Sequence, residues 1–350
     1  MVPEFGFSVT PGHADGVADE LRRVEQLGYQ RVGIWDSPAL FREPWAVLGA
    51  IAPATTRLRL GTWVTNPLTR HPVVTASAAA TVDDLAPGRV YVGIGSGGTG
   101  AWNLGLDTAS LARLERYVTA VRGLLRSGSA MFEGTELTLP WAGERDIPII
   151  LAAHGPRSLR LAGRIADGVV IGLGVSPEAI GGSLEQLAAG AASAGRSVEE
   201  IETWFTCFWF VDERPGVAVE QGRWASTAFA LHFVRGGVEG KFLPEDMKAA
   251  VRQLGEAYDL AVHGSVPESK QQEYVDLAER LGVADYLLHR FVFAGTPAEV
   301  ESQVRRAIGA GACRFDGAID ADLPEHERRV TSWATLVLPR LRAATTVPAS

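Results

Sequence analysis

Cysteine is nearly absent. Cys207 and Cys313 are the only two among 350 residues, and they sit far apart in apolar, strand-like runs. That excludes a disulfide scaffold and a thiolate metal site, and predicts two buried free thiols. Lysine is almost as scarce: Lys241, Lys248 and Lys270 are the only ones, so arginine carries the basic charge. No basic block interrupts a chain of formal net charge -8, which excludes a phosphate-backbone binder. No apolar run reaches the ~18 residues of a membrane span. The opening Met1-Val2-Pro3-Glu4-Phe5 lacks the basic and apolar regions of a signal peptide. A cytoplasmic protein with neither membrane nor nucleic-acid partner is expected. No internal repeat and no low-complexity segment is found.

What is present is an alternation of short apolar or β-branched runs with longer amphipathic ones. Strands are predicted at Phe5–Val9, Arg31–Trp35, Leu58–Thr65, Arg89–Ile94, Ile147–Ala153, Gly168–Ile171, Ile201–Val211 and Arg314–Ile319. Helices are predicted between them, several opened by proline or closed by glycine, such as Pro44–Ala52 and Ala14–Leu27 before Gly28. Near-continuous apolar strands, each followed by a helix, mean a parallel sheet covered on its outside. The cycle breaks at about 216–290, which reads as helices without a clear strand, and Met131–Leu139 alternates like a hairpin. The expected architecture is an α/β (β/α)8 TIM-like barrel with a helical insertion after strand 7. One domain is expected over residues 1–345, with a frayed tail at 346–350.

Four stretches could carry chemistry. Gly93-Ile94-Gly95-Ser96-Gly97-Gly98 follows a strand and satisfies the dinucleotide fingerprint, but no helix is predicted inside it, since Thr99–Asp107 intervenes. A glycine-rich loop at a barrel rim and a plain tight turn are the other readings. Thr62-Trp63-Val64-Thr65-Asn66-Pro67 carries a strand into polar residues, the position of barrel active sites, or is a simple strand-to-helix loop. In Ala152-Ala153-His154-Gly155-Pro156 a buried strand meets a helix start, whose free amides suit a phosphate. His154 there is either catalytic or a hydrogen-bonded structural residue. Asp36, after Trp35, is either an acid or ring anchor, or a turn aspartate. No nucleophile elbow and no metal-spaced cluster stands out.

The run Val64-Thr65-Asn66-Pro67-Leu68-Thr69-Arg70-His71-Pro72 resembles the third-strand signature of the bacterial-luciferase-like monooxygenase superfamily. The likeness is to its coenzyme F420-dependent, methylenetetrahydromethanopterin reductase-like branch. Gly88-Arg89, the Gly95-Ser96-Gly97 turn, Ile147–Ala153 with Gly155-Pro156-Arg157, Ala166-Asp167-Gly168, Gly295-Thr296-Pro297 and Val337–Leu341 extend it over nearly the whole chain. It is weakest at about 216–290.

The resemblance implies a TIM-like barrel and a non-prolyl cis peptide at Trp63–Val64. It implies Val64 behind the coenzyme ring. Asp36, Thr65, Asn66, Gly95, Ser96, Gly97 and Asn103 would line the coenzyme, and Ala153, His154 and Gly155 would meet its phosphate. Asp36 and then His154 are the expected catalytic residues. The implied activity is hydride transfer between C5 of coenzyme F420 and a small organic substrate. The alternatives are an FMN-dependent two-component monooxygenase supplied by a separate flavin reductase, and a non-catalytic flavin-binding or partner subunit. A homodimer is expected by the same likeness. Ser37 stands where sugar-phosphate dehydrogenases of this family carry His, Gly98-Thr99-Gly100 where they carry an acid, and Ser8 where the reductase branch carries Glu. Substrates are therefore not carried over.

Overall fold

The computed structural model describes residues 3–9, 14–234, 237–259, 266–319 and 323–343. The expected tail at 346–350 lies outside them, as does part of the 216–290 insertion. The strands are β1 (Glu4–Val9), β2 (Arg31–Ile34), β3 (Arg59–Thr62), β4 (Val90–Ile94), β5 (Ser129–Phe132), β6 (Thr135–Thr138), β7 (Ile149–Ala153), β8 (Gly168–Ile171), β9 (Glu202–Val211), β10 (Val292–Gly295) and β11 (Arg314–Ile319). Eight of them, in the order β1-β2-β3-β4-β7-β8-β9-β11, close into a parallel barrel through the β11–β1 pairing. β5 and β6 form the antiparallel hairpin read from the sequence. The helical insertion follows the seventh barrel strand, as expected. Its described helices are Val217–Phe233, Lys248–Glu256, Glu268–Arg280 and Ala284–Phe291.

Period-2 alternation decides what fills the barrel. The outward faces of the strands meet the helices in one large apolar core. The inward faces hold a second, smaller cluster of Tyr91, Ile150, Val170 and Trp204, with Trp63, Val64 and Ala152 against it. Rings this large fit inside because neighbouring strands carry glycine opposite them. A Cβ on Gly61 would stand 2.6 Å from the Tyr91 ring, and one on Gly33 would stand 2.5 Å from the Trp63 Cβ.

The structure departs from the sequence reading at four places. β10 was not expected. β9 has ten residues, and β8 and β11 pair only with its first part, up to Cys207. The ladder left open beyond that point is taken by Val292–Gly295, parallel to Phe208–Val211. A one-turn helix, Gly98–Trp102, opens after Gly97, where only a loop was expected. Regular β3 ends at Thr62, short of the expected Thr65, because the chain turns at a cis peptide between Trp63 and Val64. Cys207 is buried as expected, but Cys313 is only half-buried, on the short lead into β11. Among the described residues no helix is long and apolar enough to cross a membrane.

Candidate active site

The mouth at the C-terminal ends of the strands is built around a platform of small side chains. After the cis Trp63–Val64 bond, the Thr65 amide donates to the Gly93 carbonyl at 2.9 Å, and the Gly95 amide donates to the Thr65 carbonyl at 2.8 Å. That ladder lays Val64 across β4. A Cβ on Gly95 would be 2.8 Å from Val64 Cγ2 and 3.4 Å from the Ala152 Cβ, so three residues from three strand ends lie in one layer. Val64, Ala152 and Ser96 are all half-buried, open toward the mouth. A flat apolar surface of this kind is what a planar ring needs beneath it.

One wall is polar and rigid. Asp36, at the end of β2, has a fully buried carboxylate beside Arg70. Arg70 Nε donates to Oδ2 at 2.8 Å and Nη2 to Oδ1 at 3.2 Å, while Nη2 also reaches Glu43. Both oxygens of Asp36 are thereby occupied, which suits an anchor better than a free acid. Thr65 Oγ1 and Asn103 Nδ2 are buried with no hydrogen-bond partner among the described residues, two polar groups at the mouth that a ligand could satisfy.

Asn66 and Gly97 are brought to the same wall but are engaged with the protein. Asn66 Oδ1 accepts from the Leu68 and Thr69 amides, each at 3.0 Å, and so shapes the turn after the platform. Gly97 has φ +93°, and its Cβ would meet Leu68 Cδ1 at 3.1 Å and Asn66 Cβ at 3.3 Å. Glycine is required there by backbone and packing alone.

The opposite side is cationic. Ala153, His154 and Gly155 lead from β7 into the helix Pro156–Ile165, with Gly155 extended and nothing within 4 Å of a Cβ placed on it. The His154 ring lies against β8: a Cβ on Gly172 would be 2.3 Å from its Nε2. The side chain is solvent-accessible, yet it sits deep in a concave, atom-dense mouth. That desolvation, with Lys241 nearby, lowers its pKa to about 4. His154 is therefore neutral at physiological pH.

Lys241 comes from the insertion and was not singled out in the sequence, although it is one of only three lysines. It is 6% exposed, donates to the Phe233 carbonyl, and has its pKa lowered to about 8 by burial and by Arg290. Arg290 fixes this loop, donating to the Lys241 carbonyl at 2.6 Å and the Phe242 carbonyl at 2.9 Å. A Cβ on Gly240 would be 3.0 Å from Pro156, so the loop rests on the first turn of the Pro156–Ile165 helix. A cation, a neutral imidazole and a helix N-terminus thus face one region. A separate cavity of about 460 Å³ lies between Pro67–Pro72 and the β5–β6 hairpin, lined in part by Arg70, Arg113 and Phe132. No group of three or more His, Cys, Asp or Glu among the described residues is placed to hold a metal.

The sequence profile of the luciferase-like monooxygenase family matches residues 3–314. The chain belongs to that family. It is 26% identical over 374 residues to the 5,10-methylenetetrahydromethanopterin reductase of Methanopyrus kandleri, covering 97% of this chain and 98% of the relative. It is 31% identical over 312 residues to the phthiodiolone/phenolphthiodiolone dimycocerosates ketoreductase of Mycobacterium bovis, covering 86% of this chain and 79% of that one. Among solved structures, the coenzyme F420-dependent tetrahydromethanopterin reductase from Methanopyrus kandleri superposes with a TM-score of 0.78 at 22% identity. That match covers 97% of this chain and 100% of the other. A long-chain alkane monooxygenase superposes at 0.70 with 14% identity, covering 100% and 93%. These likenesses to solved structures establish the fold.

Proposed function

We propose that the chain is a coenzyme F420-dependent oxidoreductase acting on a small organic substrate. The observation that carries this is the Val64–Gly95–Ala152 platform, flat and apolar, flanked on one side by Asp36–Arg70 and on the other by the His154–Lys241 region. Two classes of relative favour the deazaflavin over other rings: reductases named for methylenetetrahydromethanopterin, and structural neighbours named as F420-dependent.

The residues fit such a coenzyme. Val64, Gly95 and Ala152 would support its ring. Thr65 Oγ1 and Asn103 Nδ2 offer hydrogen-bonding groups that have no partner among the described residues. Ala153, His154 and Gly155 would meet its phosphate at the start of the Pro156–Ile165 helix, where backbone amides and the helix dipole favour an anion. When bound, the coenzyme would supply C5 as the centre that gives or takes the hydride; the protein supplies orientation and electrostatics. Asp36, held by Arg70, fixes the wall beside the platform and anchors a ring edge through the geometry it imposes on Arg70. His154, neutral, donates or accepts a hydrogen bond without carrying charge.

The FMN-dependent monooxygenase reading is favoured by one observation: the family's description and several structural neighbours name monooxygenases. In that case a separate reductase would supply the flavin. We further propose one domain over residues 1–345, a cytoplasmic location and a homodimer. The dimer is supported by the helix Pro72–Leu85, which buries Ala76, Ala79 and Ala80 inward and exposes the apolar Val74 and Leu85. Light scattering at micromolar protein tests the dimer; a monomer mass would reject it. The cofactor reading is tested by titrating F420 and FMN in both redox states.

A further inference from the structure

Inside the barrel, below the platform, Arg31 and Asp316 are both 0% exposed. Arg31 Nη2 stands 3.6 Å from Asp316 Oδ1. The guanidinium lies between the indoles of Trp63 and Trp204, at 4.1 and 3.8 Å from their centroids, with Tyr91 at 5.0 Å. Among the described residues neither the Arg31 nitrogens nor the Asp316 oxygens have a close hydrogen-bond partner. Apolar layers usually fill this part of a barrel. A buried ion pair with incomplete hydrogen bonding adds little or nothing to stability over apolar packing. Stability alone therefore does not explain it.

Two features make the pair responsive. Burial pushes the Asp316 carboxyl up to about 6, against the opposing pull of Arg31 and of Ser8, two residues beyond its β1 partner Gly6. The surrounding groups do not titrate with it. Arg59 and Glu202 form their own pair at 2.7 Å, and burial raises Tyr91 and Cys207, which keeps both neutral. With Asp316 ionised, two cations (Arg31, Arg59) balance two anions (Glu202, Asp316). With Asp316 protonated, one positive charge is left over. Trp63 links the pair to the mouth: its ring lies on Arg31, and the next residue, Val64, forms the platform against Gly95.

We propose that Asp316 is a proton-binding site coupled to the mouth: seating an anionic coenzyme ring on the Val64 platform is accompanied by uptake of one proton from solvent onto the Asp316 carboxylate, which leaves Arg31 as an unneutralised cation beneath the floor. This rests on the reading of the preceding subsection. No bond of the coenzyme changes; the proton comes from buffer and ends on an Asp316 oxygen. By linkage, affinity for an anionic ring rises as pH falls, and binding draws in protons to the same extent.

The test is calorimetric titration of F420 into the wild-type protein and into Asp316→Asn at about pH 7, in two buffers of different ionisation enthalpy. The difference between the proteins cancels the coenzyme's own titration. The wild type takes up more protons than the variant, and from about pH 8 to about pH 6 its affinity tightens several-fold more than that of the variant, because the titrations of Lys241 and of the coenzyme are common to both. Oxidised FMN, whose ring is neutral, draws in fewer. Difference infrared spectra of the wild type alone give a second readout, a protonated carboxylic acid band that grows on adding F420, and this holds even if the variant folds poorly. F420 binding with equal proton counts in both proteins and no acid band would overturn the proposal. Failure of F420 to bind the wild type would overturn the cofactor reading and this one with it.

Discussion

Arg70 holds Asp36 by a two-point contact, Nε to Oδ2 at 2.8 Å and Nη2 to Oδ1 at 3.2 Å, with the carboxylate fully buried and the guanidinium 13% exposed. The two residues come from different strand ends, so the contact ties the β2 loop to the turn after the platform. Removing one member of a buried pair leaves the other charge uncompensated. Arg70→Met should therefore destabilise the fold by about 3 kcal/mol, measured by chemical denaturation. A change under about 1 kcal/mol, the range of surface pairs, would show that Asp36 is solvated in a way the buried geometry does not allow.

Gly155→Ala separates a ligand role from a structural one. Its backbone is extended and a Cβ would meet nothing within 4 Å, so the melting temperature should not move. If a phosphate rests on this helix start, the added methyl crowds it and coenzyme affinity should fall about tenfold. Unchanged affinity would remove Gly155 from the site.

Gly97→Val behaves in the opposite way. With φ +93° and close neighbours at Leu68, Asn66 and Ala101, the variant is strained before any ligand arrives. Its melting temperature should drop, and binding loss should track unfolding. A variant that keeps its melting temperature would contradict the packing described here.

His154 should stay neutral over most of the accessible pH range. Its pKa is lowered to about 4, so between that value and about 6.5 the unfolded chain binds a proton that the folded one does not. The group therefore contributes stability above pH 6.5 that is lost as pH falls toward 4. Imidazole signals followed by NMR should show the neutral form down to about pH 5. An ordinary titration midpoint near 6.5 would refute the crowding of this ring.

Asp316 has the reverse sign. Its raised pKa of about 6 means that the folded state holds the proton longer, so stability is present below the ordinary carboxylate range and is lost as pH rises through 6. Asp316→Asn should therefore gain stability relative to the wild type between pH 4 and 6 and hold it above. A constant difference across that range would contradict the raised value.

The sequence made the barrel legible where strands are short, apolar and bounded by turn residues. Gly168–Ile171 and Arg314–Ile319 are found at the expected limits. β10 escaped because Val292–Gly295 reads as a plain apolar run, and only the unusual length of β9 creates an open ladder for it. The site was legible as strand-end motifs on β2, β3, β4 and β7. Its pairings were not. Nothing in local spacing says that Arg70 turns back to Asp36, or that the loop at Gly240 comes back from the insertion to rest on Pro156. Those are long-range contacts set by closure of the barrel. The Arg31–Asp316 pair is of the same kind, since it spans 285 positions of sequence (316 − 31) and joins strands that are neighbours of β1 on either side.

The most direct measurement is a side-by-side fluorescence titration of the purified protein with F420 and FMN, each oxidised and reduced. The platform, the anchored wall and the cationic side predict that reduced F420 binds more tightly than reduced FMN. Equal or tighter binding of FMN would contradict the deazaflavin assignment and favour the monooxygenase reading.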